Sequence, residues 1–439
     1  MKTSPASETP LQIVLNRLEY DFKAANPKSL AQHQVAAESL AGGHTRQTLM
    51  YSPYPLSIAH STGARVTDID GHEYLDFLGD YTAGLYGHSN EVIADAALKA
   101  MSQGISVGGV TLIEAEFADL ICSRIPSIEQ MRFCNSGTEA CLFAVTIARA
   151  ITQRSSVIVF RGAYHGGFMV FGESDDSLLN IPGDFIKCPF NDIRATCEAI
   201  RNAAPTLAAV IVEPVMGSGG AIPATREFLQ MLRKETESAD SILIFDEVMT
   251  SRLAPGGAQS IYDIKPDLTT LGKFWGGGFN FGAFGGSRHL MRHLDSSDGG
   301  TLKQAGTFNN NIVTMAAGLA GARDVYTPTA CIELNRRGDE LRLRMNTLSK
   351  KSGVNVQVTG LGAVMNIHFH CRTISSHADI EDADSSARRL FHMAMLERGM
   401  YVARRGLISL SLEHTNSDIE SLLDAVRDFY SEYQHFLNC

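Results

Sequence analysis

The sequence of 439 residues contains no apolar run of membrane-spanning length, so no helical membrane domain is expected. Positive charge is in deficit: 38 Lys and Arg face 48 Asp and Glu, a formal net charge of −10, which argues against a nucleic-acid partner. No G-x-x-x-x-G-K-[ST] phosphate loop occurs, so a nucleotide hydrolase of that type is excluded. The dinucleotide fingerprint is incomplete and the G-x-S-x-G serine-hydrolase elbow is missing. Fourteen histidines include no H-E-x-x-H arrangement, so no metal site is expected. The eight cysteines, at 122, 134, 141, 188, 197, 331, 371 and 439, form no C-x-x-C pair and read as reduced, mostly buried thiols. The N-terminal "MKTSPASETPLQIVLNRLEY" has no signal-peptide core, and the final "FLNC" fits neither the prenylation nor the peroxisomal pattern. A cytoplasmic location is the expectation.

What is present is ordinary globular composition, 44% hydrophobic and 20% charged, in a chain long enough for two domains. Residues 11–40 read as a helical, polar arm. "GARVTDIDGHEYLDF" alternates apolar and polar residues around Asp70 and Gly71, a hairpin signal. From residue 91, helical patterns alternate with short apolar strands: "MRFC", "SVIVF", "LAAVIVE", "SILIFDE", "LTTLG" and "FGAFGG". Strands buried on both faces with helices between them predict an α/β fold with a large, mostly parallel sheet. That domain is expected over 91–324. A smaller α+β region is expected from the arm and hairpin (1–90) together with the C-terminal segment (325–439).

Ligands of open α/β sheets bind beyond the carboxyl ends of the strands, and the informative polar residues sit there. "SILIFDEV" ends in Asp246 and Glu247. An acid there either caps the next helix or, buried, keeps a heteroaromatic nitrogen protonated. "RFCNSGTEA" sets Ser136, Gly137 and Thr138 at a strand-to-helix junction. Ser136 with Glu139 fits a capping box, and the same helix N-terminus can hold a phosphate. Tyr164, before His165 in "VFRGAYHGG", is either a core residue or a ring lying flat on a cofactor. Glu213 ends another strand ahead of a glycine-rich loop. Lys273 stands between "PDLTTLG" and the three glycines of "FWGGG", a frame that a solvated lysine does not need. A phosphate cup, a stacking aromatic, an acid for a ring nitrogen and a lysine for an aldehyde make up the binding inventory of pyridoxal 5'-phosphate.

The motifs "CNSGTEA", "GAYHG", "VEPV", "FDEV", "PDLTTLGK", "GGG" and "GTFNNN", in this order over about 39–412, resemble the class III, fold type I pyridoxal-phosphate aminotransferases, in the branch of glutamate-1-semialdehyde aminomutase. The resemblance implies Lys273 as the Schiff-base lysine, Asp246 as partner of the ring nitrogen and Tyr164 as the stacking ring. It places Val248 on the opposite ring face and Ser136, Gly137 and Thr138 around the phosphate. It also implies a homodimer in which Thr307 reaches the phosphate bound by the neighbouring subunit. Two segments depart from the mutase pattern: "AGGHTRQTLMYSPYPL" stands for GGVNSPVR, and "VARRGLISLSL" for a segment like APSQFE. Both changes add guanidinium groups, which suit carboxylate recognition. "DYTAGLYGHS", "FDEVMTSRLAPGG" and "GGGFNFGAFGG" resemble the β-amino-acid, notably β-phenylalanine, aminotransferases of this branch. That resemblance implies Arg46 and Arg405, or its neighbour Arg404, as carboxylate partners, with Tyr81 lining the pocket. The expected reaction is transfer of an amino group from an amino acid, a β-amino acid by this resemblance, to a keto acid such as 2-oxoglutarate or pyruvate. An aminomutase or racemase on the same scaffold is the alternative, and a silent cofactor-binding scaffold a more distant one.

Overall fold

The computed structural model describes residues 9–381 and 385–438. The N-terminal arm, read as helical over 11–40, is two helices, Pro10–Ala25 and Pro27–Ala37. The residue before a proline is pushed out of the α region, and Asn26 accordingly sits at φ −121, ψ 49 between them. The hairpin forms as expected. Strands β1 (Ile58–Thr62), β2 (Arg65–Asp68) and β3 (Glu73–Asp76) pair antiparallel in sequence, and Asp68 Oδ1 closes the turn by accepting from the Gly71 and His72 N–H groups. Asp70, at the tip, accepts from the Lys28 and Ser29 N–H groups and so caps the second helix from outside.

The central sheet is built from β4 (Gln130–Cys134), β5 (Ser156–Phe160), β6 (Phe185–Cys188), β7 (Leu207–Val212), β8 (Ile242–Asp246), β9 (Leu268–Gly272) and β10 (Gly282–Gly286), in the spatial order β4-β10-β9-β8-β7-β5-β6. All run parallel except β10, which is antiparallel to both neighbours. Strand β6 was not expected from the sequence. It is a half-buried edge strand carrying Lys187, so it lacks the fully apolar pattern of β5, β7, β8 and β9. Alternation along β8 sends Leu243 and Phe245 into one apolar core and Ile242 and Ile244 into the other. Asp246 continues the second series, towards helix Gly137–Thr152, whose Ala140, Cys141 and Ala144 line that core.

The C-terminal region contributes helix Pro328–Ser352, β11 (Val356–Leu361), β12 (Val364–Phe369), helix Ser385–Glu397, β13 (Met400–Tyr401), β14 (Leu407–Ser409) and helix Asn416–Tyr433. Strands β11, β12 and β14 form an antiparallel sheet, while β13 runs parallel to β3 and joins the N-terminal sheet. The two ends of the chain are thereby tied together beside the carboxyl ends of the central strands.

Candidate active site

Beyond β4, Ser136 caps helix Gly137–Thr152: its Oγ accepts from the Glu139 N–H at 3.1 Å. The capping box is displaced by one residue, because the Glu139 carboxylate accepts from the Asn135 N–H at 3.0 Å instead of turning back to Ser136. The first-turn N–H groups at Gly137 and Thr138 have no intrahelical acceptor and present an anion-binding end. Gly137 is required by contact: a Cβ there would lie 2.7 Å from Val248 Cγ1. Thr138 Oγ1 accepts from the Gly167 N–H at 3.3 Å, drawing the loop that carries Tyr164 over the helix end.

At the end of β8 the two acids divide their work. Glu247, fully buried, accepts from the Ala258 and Gln259 N–H groups and caps the short helix Gly257–Tyr262. Asp246, 4% exposed, faces the other way. His165 Nδ1 lies 2.8 Å from its Oδ2, and the Val248 N–H donates to Oδ1 at 3.0 Å. Cys141 Sγ and Thr270 Oγ1 both approach within 3.3 Å. Burial alone would raise the Asp246 pKa. The hydrogen bond and charge of His165, with the Val248 N–H and Cys141, outweigh it and hold the carboxyl below its ordinary value. Cys141, His165 and Asp246 bring three metal-capable atoms within 4.8 Å, a grouping with no sequence motif, but these atoms are hydrogen-bonded to one another.

Glu213, beyond β7, accepts from the Tyr164 N–H at 3.0 Å and the Gly217 N–H at 2.9 Å, so it fixes both loops that flank Asp246. Burial raises its pKa; His165 opposes the rise and the Asp246 charge adds to it. Tyr164 is 45% exposed, so its side chain is free to meet a ligand. Val248 is half-buried against Gly137 and Gly272.

Lys273 follows β9 directly and holds φ +55, a strained value for a side-chain-bearing residue. Its amine makes no hydrogen bond or ion pair among the described residues. Burial depresses its pKa to about 8, aided by the Arg405 and Arg252 charges and opposed by Asp246 and Glu213. A lysine so placed gives up its proton near pH 8, well below the range of a solvated lysine, and is the readier nucleophile for it.

On the far side, the Tyr81 ring lies between two guanidiniums: Arg46 Cζ is 5.6 Å from its centroid and Arg405 Cζ 4.9 Å. Arg46 is ion-paired to Asp80 and its side chain is 45% exposed. Arg405 donates to Ser218 Oγ at 2.9 Å, and its Nε is buried without a partner among the described residues. Arg404 is exposed and lines a small recess with Tyr81, His392 and Tyr401, so it borders Tyr81 without stacking on its ring. Thr307 is exposed, in a loop whose Asn309 accepts from Asn135 Nδ2 at 2.9 Å. The structure thus gathers Ser136, Gly137, Thr138, Tyr164, Glu213, Asp246, Val248 and Lys273 at the carboxyl ends of the central strands, with Arg405, and Arg46 and Tyr81 beside it, near enough to act on Tyr164 and Lys273. Arg404 borders this group through the recess it shares with Tyr81, and Thr307 stands apart. His165 and Ser218 belong to the site but carry no role in the sequence reading. Only the position of His165 after a strand hinted at one.

These residues fit pyridoxal phosphate on their own geometry. A buried carboxylate held ionised suits a ring N–H, an unpartnered amine suits a carbonyl, and a glycine-lined helix end suits a phosphate.

Residues 48–415 match the family model for Aminotransferase class-III. The chain is 45% identical over 408 residues to a β-phenylalanine transaminase of Variovorax paradoxus, covering 93% of this chain and 94% of the relative. A solved β-phenylalanine aminotransferase from Variovorax paradoxus superposes with a TM-score of 0.96 at 43% identity, over 98% of this chain and 99% of that one. A glutamate-1-semialdehyde 2,1-aminomutase of Persephonella marina is 34% identical over 424 residues, 92% of this chain and 99% of the relative. A solved transaminase with PLP bound gives a TM-score of 0.86 at 31% identity, over 93% and 98% of the two chains. The chain belongs to the class-III aminotransferases and is a transaminase that works with pyridoxal phosphate.

Proposed function

We propose that the protein moves the amino group of an aryl β-amino acid of the β-phenylalanine type to a keto acid, 2-oxoglutarate or pyruvate. The observation that carries this reading is the pair of guanidiniums, Arg46 and Arg405, on the Tyr81 ring, with Arg405 near enough to Lys273 for its charge to act there, which offers guanidiniums for a carboxylate and an aromatic face for an aryl group. The near-full-length likeness to a β-phenylalanine transaminase supports it.

In this reading pyridoxal phosphate, when bound, supplies the carbonyl that takes up the amino group and the ring that withdraws electrons from the substrate carbon. Ser136, Gly137 and Thr138 hold its phosphate; Tyr164 and Val248 bracket its ring. Asp246, kept ionised by His165, accepts a hydrogen bond from the ring nitrogen and keeps it protonated. Lys273 would anchor the cofactor at rest, and its Nζ, once free, would take a proton from the substrate carbon and deliver it to the cofactor's carbonyl carbon. Arg405 and Arg46 orient the carboxylates, and Glu213 holds the loops of Tyr164 and Gly217 in register.

The protein works as a homodimer in this reading. The loop with Thr307 and Phe308, both exposed, is hydrogen-bonded through Asn310 and Asn311 to the Gly109 and Ile105 carbonyls. Val110 and Leu112, beside that contact, are 94% and 93% exposed in the single chain, an apolar surface that a second copy would cover. Thr307 would then reach the partner's phosphate. Residues 91–324 form the cofactor-binding domain, and 1–90 with 325–439 the smaller one, in a cytoplasmic enzyme.

The test is a panel of α- and β-amino acids of both hands, added to the holoenzyme without keto acid and scored by conversion of the cofactor to its aminated form. One turnover with an aryl β-amino acid of one hand is expected. Continuing turnover without acceptor would identify an isomerase; reaction with α-amino acids alone would overturn the β-assignment.

A further inference from the structure

Arg252 is fully buried, and its hydrogen-bond acceptors are neutral. Nη1 donates to the Thr82 carbonyl at 2.8 Å and to Ser409 Oγ at 3.1 Å; Nη2 donates to the Leu410 carbonyl. Among the described residues no carboxylate pairs with it, and its Nε is buried without a partner. A buried guanidinium compensated this poorly contributes little to stability, and an apolar residue of similar volume would serve packing as well. Its position gives it another use.

Thr82 ends a loop in which Gly79, Asp80, Tyr81 and Thr82 all have positive φ, at 52, 45, 51 and 79. Three successive side-chain-bearing residues in that region persist only under external restraint. The Arg252 fork supplies restraint at Thr82, directly after Tyr81. The same fork holds Ser409 and Leu410, at the end of the strand that follows Arg405. The base of the fork is itself fixed, because the Arg252 carbonyl accepts from Tyr326 Oη and from Asn335 Nδ2. Arg252 also lies six residues after Asp246 on the same segment, so it connects the reaction centre with the opposite wall.

We propose that Arg252 is a positioning residue for the substrate carboxylate: its buried fork locks the Tyr81 loop and the Arg405 strand into one wall at a fixed distance from Asp246 and Lys273. The inference rests on the assignment of that wall to a carboxylate-bearing aryl substrate. A shift of about an ångström in such a wall is enough to lose one to two orders of magnitude in recognition.

The test is binding of 3-phenylpropanoate, a carboxylate with no amine to react, to the holoenzyme. It is followed through Trp275, the one tryptophan of the chain, whose Nε1 donates to Ser251 Oγ next to Arg252. Arg252→Met and Arg252→Lys are each expected to weaken binding about tenfold or more, the lysine failing to rescue because it lacks the fork. Ser409→Ala, which removes one acceptor, should weaken binding about threefold. Pyridoxal-phosphate affinity should stay near wild type in Arg252→Lys and Ser409→Ala, and the melting temperature near wild type in Ser409→Ala, so these two decide the matter if Arg252→Met does not fold. Unchanged 3-phenylpropanoate binding in Arg252→Lys, or loss of ligand and cofactor affinity in equal proportion, would overturn the inference alone. Failure of the wild-type enzyme to bind 3-phenylpropanoate would overturn the aryl-carboxylate reading, and this inference with it.

Discussion

The two halves of the site are built to different standards. The cofactor half sits on strand ends and is buried: Asp246 is 4% exposed, His165 1% and Glu213 7%, each tied by hydrogen bonds at 3.0 Å or less. The substrate half sits on loops. The Arg46 and Asp80 side chains are 45% and 52% exposed, and Tyr81 is held in a strained turn. A transaminase receives the same cofactor every cycle but must seat two different acids in turn. Rigid strand ends suit the first task, and stacked guanidiniums with exposed partners suit the second. Substitutions in the cofactor half should therefore act on kcat, and those in the substrate half on KM.

Lys273→Ala should show the largest effect, a loss of turnover of about 10³-fold or more with the cofactor still bound, read by steady-state rates and cofactor absorbance. Asp246→Asn should lower kcat about 10²-fold and change KM less than about threefold; a change in KM alone would break the division between the halves. Arg405→Ala should raise KM for the amino donor about 10- to 100-fold with a smaller change in kcat, because its guanidinium lies on the Tyr81 ring with Nε buried. Arg46→Ala, at an exposed pair, should raise KM only a few-fold. The smallest effect concerns the lysine's proton. In the apoenzyme, reaction of Lys273 with an amine-selective reagent should be half-maximal near pH 8, since the amine is protonated below that pH and free above it. Arg405→Ala removes one of the charges that depress this value, so its midpoint should move upward.

The halves also differed in how far the sequence disclosed them. Apolar strands ending in a polar residue announce themselves, so β4, β5, β7, β8 and β9 and the residues after them were legible. Strand β6 was not, because an edge strand that includes Lys187 lacks the buried signature. The helical character of the arm was legible, and the break at Asn26 within it follows from Pro27. Sequence spacing could not separate Glu247, a helix cap, from Asp246; alternation along β8 decides it. It could not separate Arg404 from Arg405, since both border Tyr81 and, of the two, only the Arg405 guanidinium lies on its ring. Nor could it show that Arg252 is buried, because its partners lie about 160 to 170 positions away in the chain.

The central claim is that Lys273 is the covalent anchor of the cofactor, and borohydride reduction of the holoenzyme followed by peptide mapping tests it most directly. The account predicts a single pyridoxyl adduct on the peptide containing Lys273. An adduct on another lysine, or none, would contradict it.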